Sequence, residues 1–241
     1  MTPAIFSNPT LSNLIHDEKN SHVWQSERWI KRQQRFLEAA RIGIFERESS
    51  ILDSFPSMSE SVIFIDYGGG SGWLYHKLIA SKIQIKLYKN VESIDLHESC
   101  VHQGDSYRYI PLTEVFSKTN HEAGLVLLYL NSVVQYLESD SVLTNLITDC
   151  SPSYVLLEDV TISHDVEFFA RQVYYETRIP YRFLSLEGLV LKMEAIGYEL
   201  DRQIPYNRHA ADGYTYSFTE PSDEFRIGDT VSLQFNRNQF F

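Results

Sequence analysis

One short segment, residues 62–72, constrains the fold more than any other part of the chain. Its sequence is Val-Ile-Phe-Ile-Asp-Tyr-Gly-Gly-Gly-Ser-Gly, an apolar run that ends in Asp66 and continues into glycines. A helical pattern over residues 73–80 follows directly. The segment therefore predicts a buried strand, a tight turn and a helix whose N-terminus opens onto the turn. Glycine suits such a turn because the main chain must take positive φ angles and let a ligand lie against it.

The spacing of the glycines distinguishes between the known nucleotide-binding turns. A P-loop is not indicated, since no Lys or Thr follows Gly72. The dinucleotide pattern G-x-G-x-x-G would need a glycine at position 73, where Trp73 stands. The chain instead has G-x-G-x-G with Asp66 two residues ahead of it, and a carboxylate there favours a cofactor with a cationic centre and an amino-acid tail. We therefore predict an adenosine-containing cofactor, with these contacts in the turn: Asp66, Gly68, Gly69, Gly70 and Gly72.

The segment Asp66-x-Gly-x-Gly-x-Gly72 resembles the first motif of class I S-adenosylmethionine-dependent methyltransferases. A narrower resemblance rests on residues 65–75, 130–137, 181–189 and 195–200, which are similar to a family of proposed methyltransferases often encoded among bacterial surface-polysaccharide genes. The resemblance covers about three quarters of the chain and departs from the family at the polar residues 88–91. It implies S-adenosylmethionine as cofactor and O-methylation of a sugar, a nucleotide-sugar or a related small metabolite.

Strand and helix patterns alternate along the middle of the chain. Strands are predicted at residues 62–66, 83–91, 100–102, 125–130 and 154–158, and helices at 73–81, after Asn131, from near Ser163, and at 186–196. Such alternation predicts a parallel sheet with helices on both faces. The segments 198–204 and 230–235 lack a helix between them and predict a final antiparallel pair, while Tyr214–Phe218 has the alternation of a further short strand.

The predicted fold is thus α/β: a Rossmann-like, doubly wound, mostly parallel sheet of seven strands with an antiparallel C-terminal pair. A helical N-terminal extension or cap, residues 1–58, precedes the methyltransferase-like domain, residues 59–241. Ser26 is expected to cap a helix in this extension. The N-terminal helices, with Trp24 and Trp29, are expected either to fold over the cofactor as a lid or to form a homodimer surface.

Composition narrows the partners. The formal charge of −11 argues against a nucleic-acid partner, because neutralising phosphates requires clustered Lys and Arg. No apolar run reaches the length of a membrane span, and the N-terminus lacks the pattern of a signal peptide, so we expect a cytoplasmic protein with no membrane partner. Cys100 and Cys150 lie far apart without metal-ligand spacing, and no metal site is predicted.

Further cofactor contacts are expected at the ends of other strands, because parallel strands place their C-terminal ends on one edge of the sheet. Glu92 ends the second predicted strand and is expected to accept hydrogen bonds from the ribose hydroxyls; Asp95 is the alternative. Asp105 follows the third predicted strand and resembles the methyltransferase position that meets the adenine amino group. Asn131 follows the fourth and is expected beside the methionine part, unless it or Ser132 caps the next helix.

Acceptor-binding and catalytic groups are expected after the fourth and fifth strands. His164 is the first choice as general base, with Glu158 or Asp159 as the alternative. These two acids are adjacent, so an extended backbone would point them to opposite faces of the sheet. The predicted acceptor contacts are Gln135, Tyr136, Arg171, Gln172, Tyr175, Arg178 and Tyr181. Residues 171–182 would either grip a sugar or an anionic group or pack as a helix. A nicotinamide-dependent oxidoreductase and a non-catalytic binding domain remain the alternative functions.

Overall fold

The structure is a computed structural model that describes residues 23–45, 61–100, 105–112, 124–163, 166–174, 177–206, 217–218 and 227–238. The helices are α1 (Glu27–Arg41), α2 (Trp73–Ala80), α3 (Ile94–Ser99), α4 (Asp140–Cys150) and α5 (Leu186–Ala195). The strands are β1 (Val62–Tyr67), β2 (Ile85–Glu92), β3 (Tyr107–Pro111), β4 (Leu125–Asn131), β5 (Tyr154–Ser163), β6 (Phe168–Tyr174), β7 (Thr177–Ser185), β8 (Tyr198–Pro205), β9 (Ser217–Phe218) and β10 (Ile227–Arg237). Short 3-10 helices cover Val23–Gln25 and Val134–Tyr136.

Seven strands follow one another in the order β3-β2-β1-β4-β5-β10-β8. Within the described residues the sheet has ten strands, because β7 also pairs with the end of β5 and carries β6 and β9. The first five strands of the order given are parallel to one another. β10 runs antiparallel to both β5 and β8, so the C-terminal antiparallel pair is confirmed. The parallel strands end together at one edge, where the turn after β1 also lies.

Alternating residues of the central strand face two separate cores. Ile63 and Ile65 pack with α4 and α5 on one face of the sheet. Val62 and Phe64 pack with α1 and α2 on the other face. Full burial of a side chain such as Phe64 contributes roughly 1.5–3 kcal/mol. Helices on both faces are what a doubly wound sheet requires, and this part of the prediction is also confirmed.

Helix α1 belongs to the second core. The Ser26 side chain accepts a hydrogen bond from the Trp29 N–H, which caps the helix as predicted. Phe36 and Ala40 are buried in the same cluster as Phe64 of β1. The described part of the N-terminal extension is therefore packed against the sheet.

The prediction of a helix beginning near Ser163 is wrong. β5 runs on to Ser163, and an antiparallel hairpin of β6 and β7 follows, with Phe168 paired to Phe183. Ala170, Tyr181 and Phe183 are buried on its inner side. Phe168 and Ala170 on β6, and Tyr181 and Phe183 on β7, alternate in the way of half-buried strands. Residues 171–174 and 177–182 thus lie on two antiparallel strands instead of a helix.

The third strand of the described sheet begins later than predicted, and residues 101–102 of the strand predicted at 100–102 lie outside the described residues. Residues 94–99 form α3, and Cys100 follows it. The strand that pairs with β2 is β3, which begins at Tyr107, after Asp105. Asp105 therefore precedes the third strand, whereas the prediction placed it after that strand.

Candidate cofactor cleft

The glycine turn after β1 has the main-chain geometry that its sequence predicts. Gly68 and Gly70 have φ angles of 70° and 57°. A Cβ atom on Gly68 would lie 2.5 Å from Cγ2 of Val133, closer than real atoms approach. Gly69 faces inward, where a Cβ atom would lie 2.5 Å from Oδ2 of Asp66. Gly72, with φ of 69°, is the N-cap of α2.

A cleft with a cavity volume of about 240 Å³ opens beside this turn, close to the lower end of the roughly 300–1,000 Å³ of ordinary ligand pockets. Six of the predicted cofactor residues line it: Asp66, Gly68, Gly69, Gly70, Glu92 and Asn131. The remaining walls come from helix α1 and the segments that precede it, and from the chain that follows β3 and β4. Those residues include Trp24, Trp29, Arg32, Gln33, Phe36, Leu112, Ser132, Val133 and Tyr136.

Buried phenols and carboxylates alternate beneath the cleft. Tyr88 donates a hydrogen bond to the Asp66 carboxylate, and Tyr129 donates one to Glu158. Burial, reinforced by the charge of Asp66, holds the pKa of Tyr88 well above its ordinary value. Burial and Glu158 do the same to the pKa of Tyr129. Both phenols therefore keep their protons at neutral pH and act as donors that hold the two acids in place.

Glu92 lies at the end of β2, and its side chain turns toward the glycines. Oε2 accepts a hydrogen bond of 3.0 Å from the Gly70 N–H, and Oε1 accepts one of 2.7 Å from the Ser93 N–H. The side chain is buried, and this burial raises the pKa of Glu92, although both amide hydrogen bonds act in the opposite direction. Asp95, the alternative, is exposed in α3.

Gln33 of α1 contacts the same turn. Its Oε1 accepts a hydrogen bond of 3.2 Å from the Ser71 N–H. A Cβ atom on Gly70 would lie 2.5 Å from that oxygen, so the helix approaches the turn as closely as glycine allows. The amides of Gly70 and Ser71 are thus both bonded to protein side chains.

Glu158 and Asp159 differ from the prediction that only one of them would face the site. Asp159 has a φ of 56° at an irregularity where β10 pairs with β5, which is the geometry of a β-bulge. The bulge turns both carboxylates toward the loop after β4. Glu158 accepts from Tyr129, and Asp159 accepts from the Ser132 hydroxyl. Both acids are at most 1% exposed and support residues of the cleft wall from beneath.

Asn131 is held by this network. Its Nδ2 donates to the Tyr129 hydroxyl at 2.9 Å, and its Oδ1 lies 3.0 Å from the Ser132 hydroxyl, whose one proton it shares with Asp159. Ser132 has a positive φ of 57°. The 3-10 helix that follows has Val133 as its N-cap without a side-chain hydrogen bond, so neither Asn131 nor Ser132 is a helix cap.

Tyr136 closes the outer end of the cleft with two tryptophans. Its ring lies edge-on to Trp24, with ring centroids 5.2 Å apart, and Trp24 is edge-on to Trp29 at 5.0 Å. The Tyr136 hydroxyl donates to Oε1 of Gln172 at 2.6 Å. Among the predicted acceptor residues, Tyr136 therefore lines the cleft and Gln172 supports it.

Other predicted acceptor residues lie deeper or are not described. Tyr181 is fully buried against Thr161, and Gln135 is buried with Nε2 donating to the Asp159 carbonyl at 3.1 Å. The side chains of Arg171 and Arg178 lie outside the described part of the structure, as do His164 and Tyr175 entirely.

The prediction that Asp105 contacts the cofactor is wrong. It precedes β3 and is exposed, so it sits at the amino-terminal end of that strand, away from the edge that carries the cleft. Leu112, immediately after β3, lines the cleft instead. The error follows directly from placing the third strand before the acid.

The sequence predicted Trp29 either in a lid over the cofactor or in a dimer surface, but did not single out Arg32, Gln33 or Phe36 as cleft residues of α1. Trp29, Arg32, Gln33 and Phe36 recur at positions i, i+3, i+4 and i+7, which is one face of a helix. This spacing is visible in the sequence, but two of the four residues are polar, and polar residues usually indicate an exposed helix face. Arg32 is 8% exposed and Gln33 is 2% exposed.

The described residues contain neither a metal cluster nor a membrane-spanning helix. No group of three His, Cys, Asp or Glu side chains there has an arrangement that could hold a metal ion. Within the same residues, no helix has the length and apolar character needed to cross a bilayer.

Comparison with solved structures identifies the fold. The chain is similar to the glycopeptide N-methyltransferase MtfA complexed with S-adenosylhomocysteine (TM-score 0.51, 12% identity, 83% of this chain and 89% of that one). It is also similar to 1,6-didemethyltoxoflavin-N1-methyltransferase of Burkholderia thailandensis (TM-score 0.50, 11% identity, 95% and 87%). A third similar structure is a Listeria monocytogenes protein proposed to be an S-adenosylmethionine-dependent methyltransferase (TM-score 0.50, 12% identity, 78% and 96%).

The chain spans 45% of the length of LepI, whose complex with S-adenosylhomocysteine and a substrate analogue it matches with a TM-score of 0.48. No protein-family model and no curated protein sequence matches the chain. The fold is therefore the Rossmann-like α/β fold of these similar structures, with a cleft at the strand ends where α/β sheets of this kind hold their ligands.

Proposed function

We propose that the protein is an S-adenosylmethionine-dependent methyltransferase that acts on a small-molecule acceptor. The observation that carries this proposal is the cleft at the ends of β1, β2 and β4. It combines a main-chain cradle without side chains at Gly68 to Gly70 with two buried acids, Asp66 and Glu92. In this proposal Asp66 lies beside the amino-acid end of the cofactor, and Glu92 accepts hydrogen bonds from its ribose.

The residues present fit this cofactor better than a nicotinamide dinucleotide. A pyrophosphate is an anion that binds free amides at a helix N-terminus. Here the Gly70 amide is bonded to the Glu92 carboxylate, and the Ser71 amide is bonded to Gln33. A phosphate at that place would meet a negative charge and displace two hydrogen bonds. A sulfonium nucleoside carries no phosphate and avoids both costs.

The chemistry that S-adenosylmethionine supplies when bound is an electrophilic methyl group on a positively charged sulfur. The protein contributes position, because holding the acceptor in line at near-attack distance removes much of the barrier. Asn131 and Ser132 are held rigidly from beneath by Tyr129, Glu158 and Asp159. We assign Glu158 and Asp159 a positioning role on this basis, and retain His164 as the proposed general base for a hydroxyl acceptor.

The outer end of the cleft is the proposed acceptor site. Trp24, Trp29 and Tyr136 provide aromatic faces there, and dispersion contacts favour packing of a flat or ring-shaped molecule against them. Together with the resemblance to proposed polysaccharide-associated methyltransferases, this supports O-methylation of a sugar, a nucleotide-sugar or a related metabolite. Gln172 fixes the Tyr136 hydroxyl, while Arg171, Tyr175 and Arg178 stay proposed acceptor contacts.

The remaining proposals concern the domains, the cellular location and the oligomeric state of the protein. We propose that residues 1–58 act as a cap on the domain formed by residues 59–241, and that the protein works in the cytoplasm. A homodimer formed through the N-terminal segment belongs to the same proposal, and sedimentation velocity would test it.

Calorimetric titration tests the cofactor. We expect S-adenosylhomocysteine to bind the wild-type protein with a micromolar dissociation constant, corresponding to about −8 kcal/mol, and NAD not to bind in the same range. Glu92→Ala should weaken binding by about tenfold or more, since it removes charge-assisted hydrogen bonds. Asp95→Ala is the matched control, because Asp95 is an acid three residues further along the chain that is exposed and does not line the cleft.

Two results would contradict the proposal. One is the absence of S-adenosylhomocysteine binding to the folded wild-type protein; the other is tight NAD binding. If the cofactor binds but no methyl transfer is found across a broad screen of sugar and other small acceptors, the alternative of a non-catalytic binding domain is favoured. With an active acceptor in hand, His164→Gln should remove the acidic limb of the pH–rate profile if His164 is the base.

A further inference from the structure

The described part of the cleft wall has two acids but a single cation that could pair with the carboxylate of the proposed cofactor. Asp66 and Glu92 are acids, and Arg32 is the one cation among the described residues of the cleft wall. S-adenosylmethionine carries a carboxylate on its amino-acid end. Burying a carboxylate without a charged or hydrogen-bonding partner is costly, so this group requires donors.

Two main-chain donors of the glycine turn are already occupied by side chains of the protein. The Gly70 N–H is bonded to Glu92, and the Ser71 N–H is bonded to Gln33. An anion placed on the Gly70 amide would also stand beside the Glu92 carboxylate. A donor on another element of the wall avoids displacing these hydrogen bonds and avoids the Glu92 charge.

We infer that Arg32 binds the carboxylate of the cofactor, so that helix α1 forms the amino-acid end of the cofactor site. This inference rests on the proposed function and names a residue for one part of the ligand. Guanidinium groups bind carboxylates through two parallel N–H donors, which gives the pair both strength and orientation.

The geometry of α1 places Arg32 correctly for this role. Gln33, the next residue, is bonded to the turn itself and fixes the helix against it. The Arg32 guanidinium carbon lies 5.1 Å from the centre of the Phe36 ring, a cation–π distance that restrains the side chain. Arg32 is 8% exposed, so a pair formed there is screened much less by solvent and salt than a surface pair.

The same helix offers a matched control. The Arg35 guanidinium carbon lies 5.4 Å from the centre of the same Phe36 ring, but Arg35 is exposed and does not line the cleft. Arg32→Met and Arg35→Met remove the same charge from neighbouring turns of one helix. Only the first should affect a ligand carboxylate.

The experiment compares two ligands by calorimetry: S-adenosylhomocysteine and its decarboxylated analogue, which lacks only the carboxylate. The wild-type protein should bind S-adenosylhomocysteine about 10- to 100-fold more tightly than the analogue, as a charge-assisted pair predicts. Arg32→Met should lose that preference by weakening S-adenosylhomocysteine binding alone. Arg35→Met should keep it.

The outcomes separate this inference from the proposed function. If S-adenosylhomocysteine does not bind the wild-type protein at all, the proposed function and the inference both fail. If it binds but the wild-type protein treats both ligands alike, or Arg32→Met weakens both equally, only the inference is overturned. Should Arg32→Met fail to fold by circular dichroism, Arg32→Lys replaces it; that variant keeps the charge but loses the paired donors, and an unchanged ligand preference would also overturn the inference.

Discussion

The inward-facing glycine of the turn provides the sharpest test of the structure. Gly69 has no positive φ angle, so alanine at this position carries no backbone penalty, and any cost must come from its Cβ atom. That atom would lie 2.5 Å from Oδ2 of Asp66, and Oδ1 of Asn90 would be nearer still. Both neighbours are at most 3% exposed and are held by hydrogen bonds.

The cost of Gly69→Ala follows from these contacts. Overpacking a buried site by one methyl group costs about 1–3 kcal/mol. Displacing Asp66 also weakens its hydrogen bond from Tyr88, and hydrogen bonds to charged groups contribute roughly 1.5–3 kcal/mol. Since the two effects overlap, we expect a loss of about 2–4 kcal/mol in the free energy of unfolding, which corresponds to a melting temperature lower by at least about 4 °C for a chain of this length.

Urea unfolding followed by circular dichroism measures this loss. Gly43→Ala is the control, because Gly43 has a φ of 80° but nothing within 4 Å of its Cβ position. That variant should lose only the roughly 1 kcal/mol of a left-handed backbone. In a double-mutant cycle with Asn90→Ala, the Gly69→Ala penalty should fall by about 1 kcal/mol or more. A Gly69→Ala penalty no larger than that of Gly43→Ala would refute the packing described here.

Three further predictions concern charge and reactivity. Burial raises the pKa of Glu92 above the ordinary 4.5. The stabilisation from the protonated Glu92 is therefore fully present below pH 4.5 and is lost as the pH rises through the higher folded-state pKa. Glu92→Gln should melt at a higher temperature than wild type at pH 7, and an equally large difference in melting temperature at pH 4 would contradict this. Arg182 is 5% exposed, with the half-exposed Asp140 2.5 Å from its guanidinium. Arg182→Met should therefore lower the free energy of unfolding in urea by about 2 kcal/mol, and an unchanged midpoint would show that this ion pair contributes nothing. Burial raises the pKa of Cys100 to about 11 and that of Cys150 to about 12. Ellman's reagent at about pH 8 should therefore react with these thiols in urea but hardly at all in the native protein. A fast reaction with the native protein would mean that the thiols are accessible.

Part of this structure follows from local sequence patterns. The strand, turn and helix at residues 62–80 are specified by an apolar run, by glycines that alone tolerate the turn, and by a helical period. The cap at Ser26 and the glycine that ends α5 at Gly197, with φ of 85°, are likewise effects that span a few residues. The cleft at the end of β1, and the presence there of Asp66 and Glu92, could be predicted because parallel strands end at one edge.

The wrong predictions concern features that depend on contacts between segments far apart in the sequence. The bulge that turns Asp159 toward Ser132 depends on how β10 pairs with β5, and no pattern near Asp159 encodes that pairing. Asp105 was misplaced because an error of one short element in the strand order moves a residue to the opposite edge of the sheet. The hairpin of β6 and β7 had an alternating pattern, but its polar residues are also compatible with a helix.

By itself, the sequence determined that this chain has a βα turn built for close approach of a ligand, because glycine's lack of a side chain acts within the turn itself. Only the tertiary structure decided what surrounds that turn. The hydrogen bond from the Ser71 amide to Gln33 joins residues 38 positions apart, and the one from Gly70 to Glu92 joins residues 22 apart. Such contacts depend on how helices and strands pack across the whole sheet, and this packing brings Arg32 and the aromatic wall to the cleft.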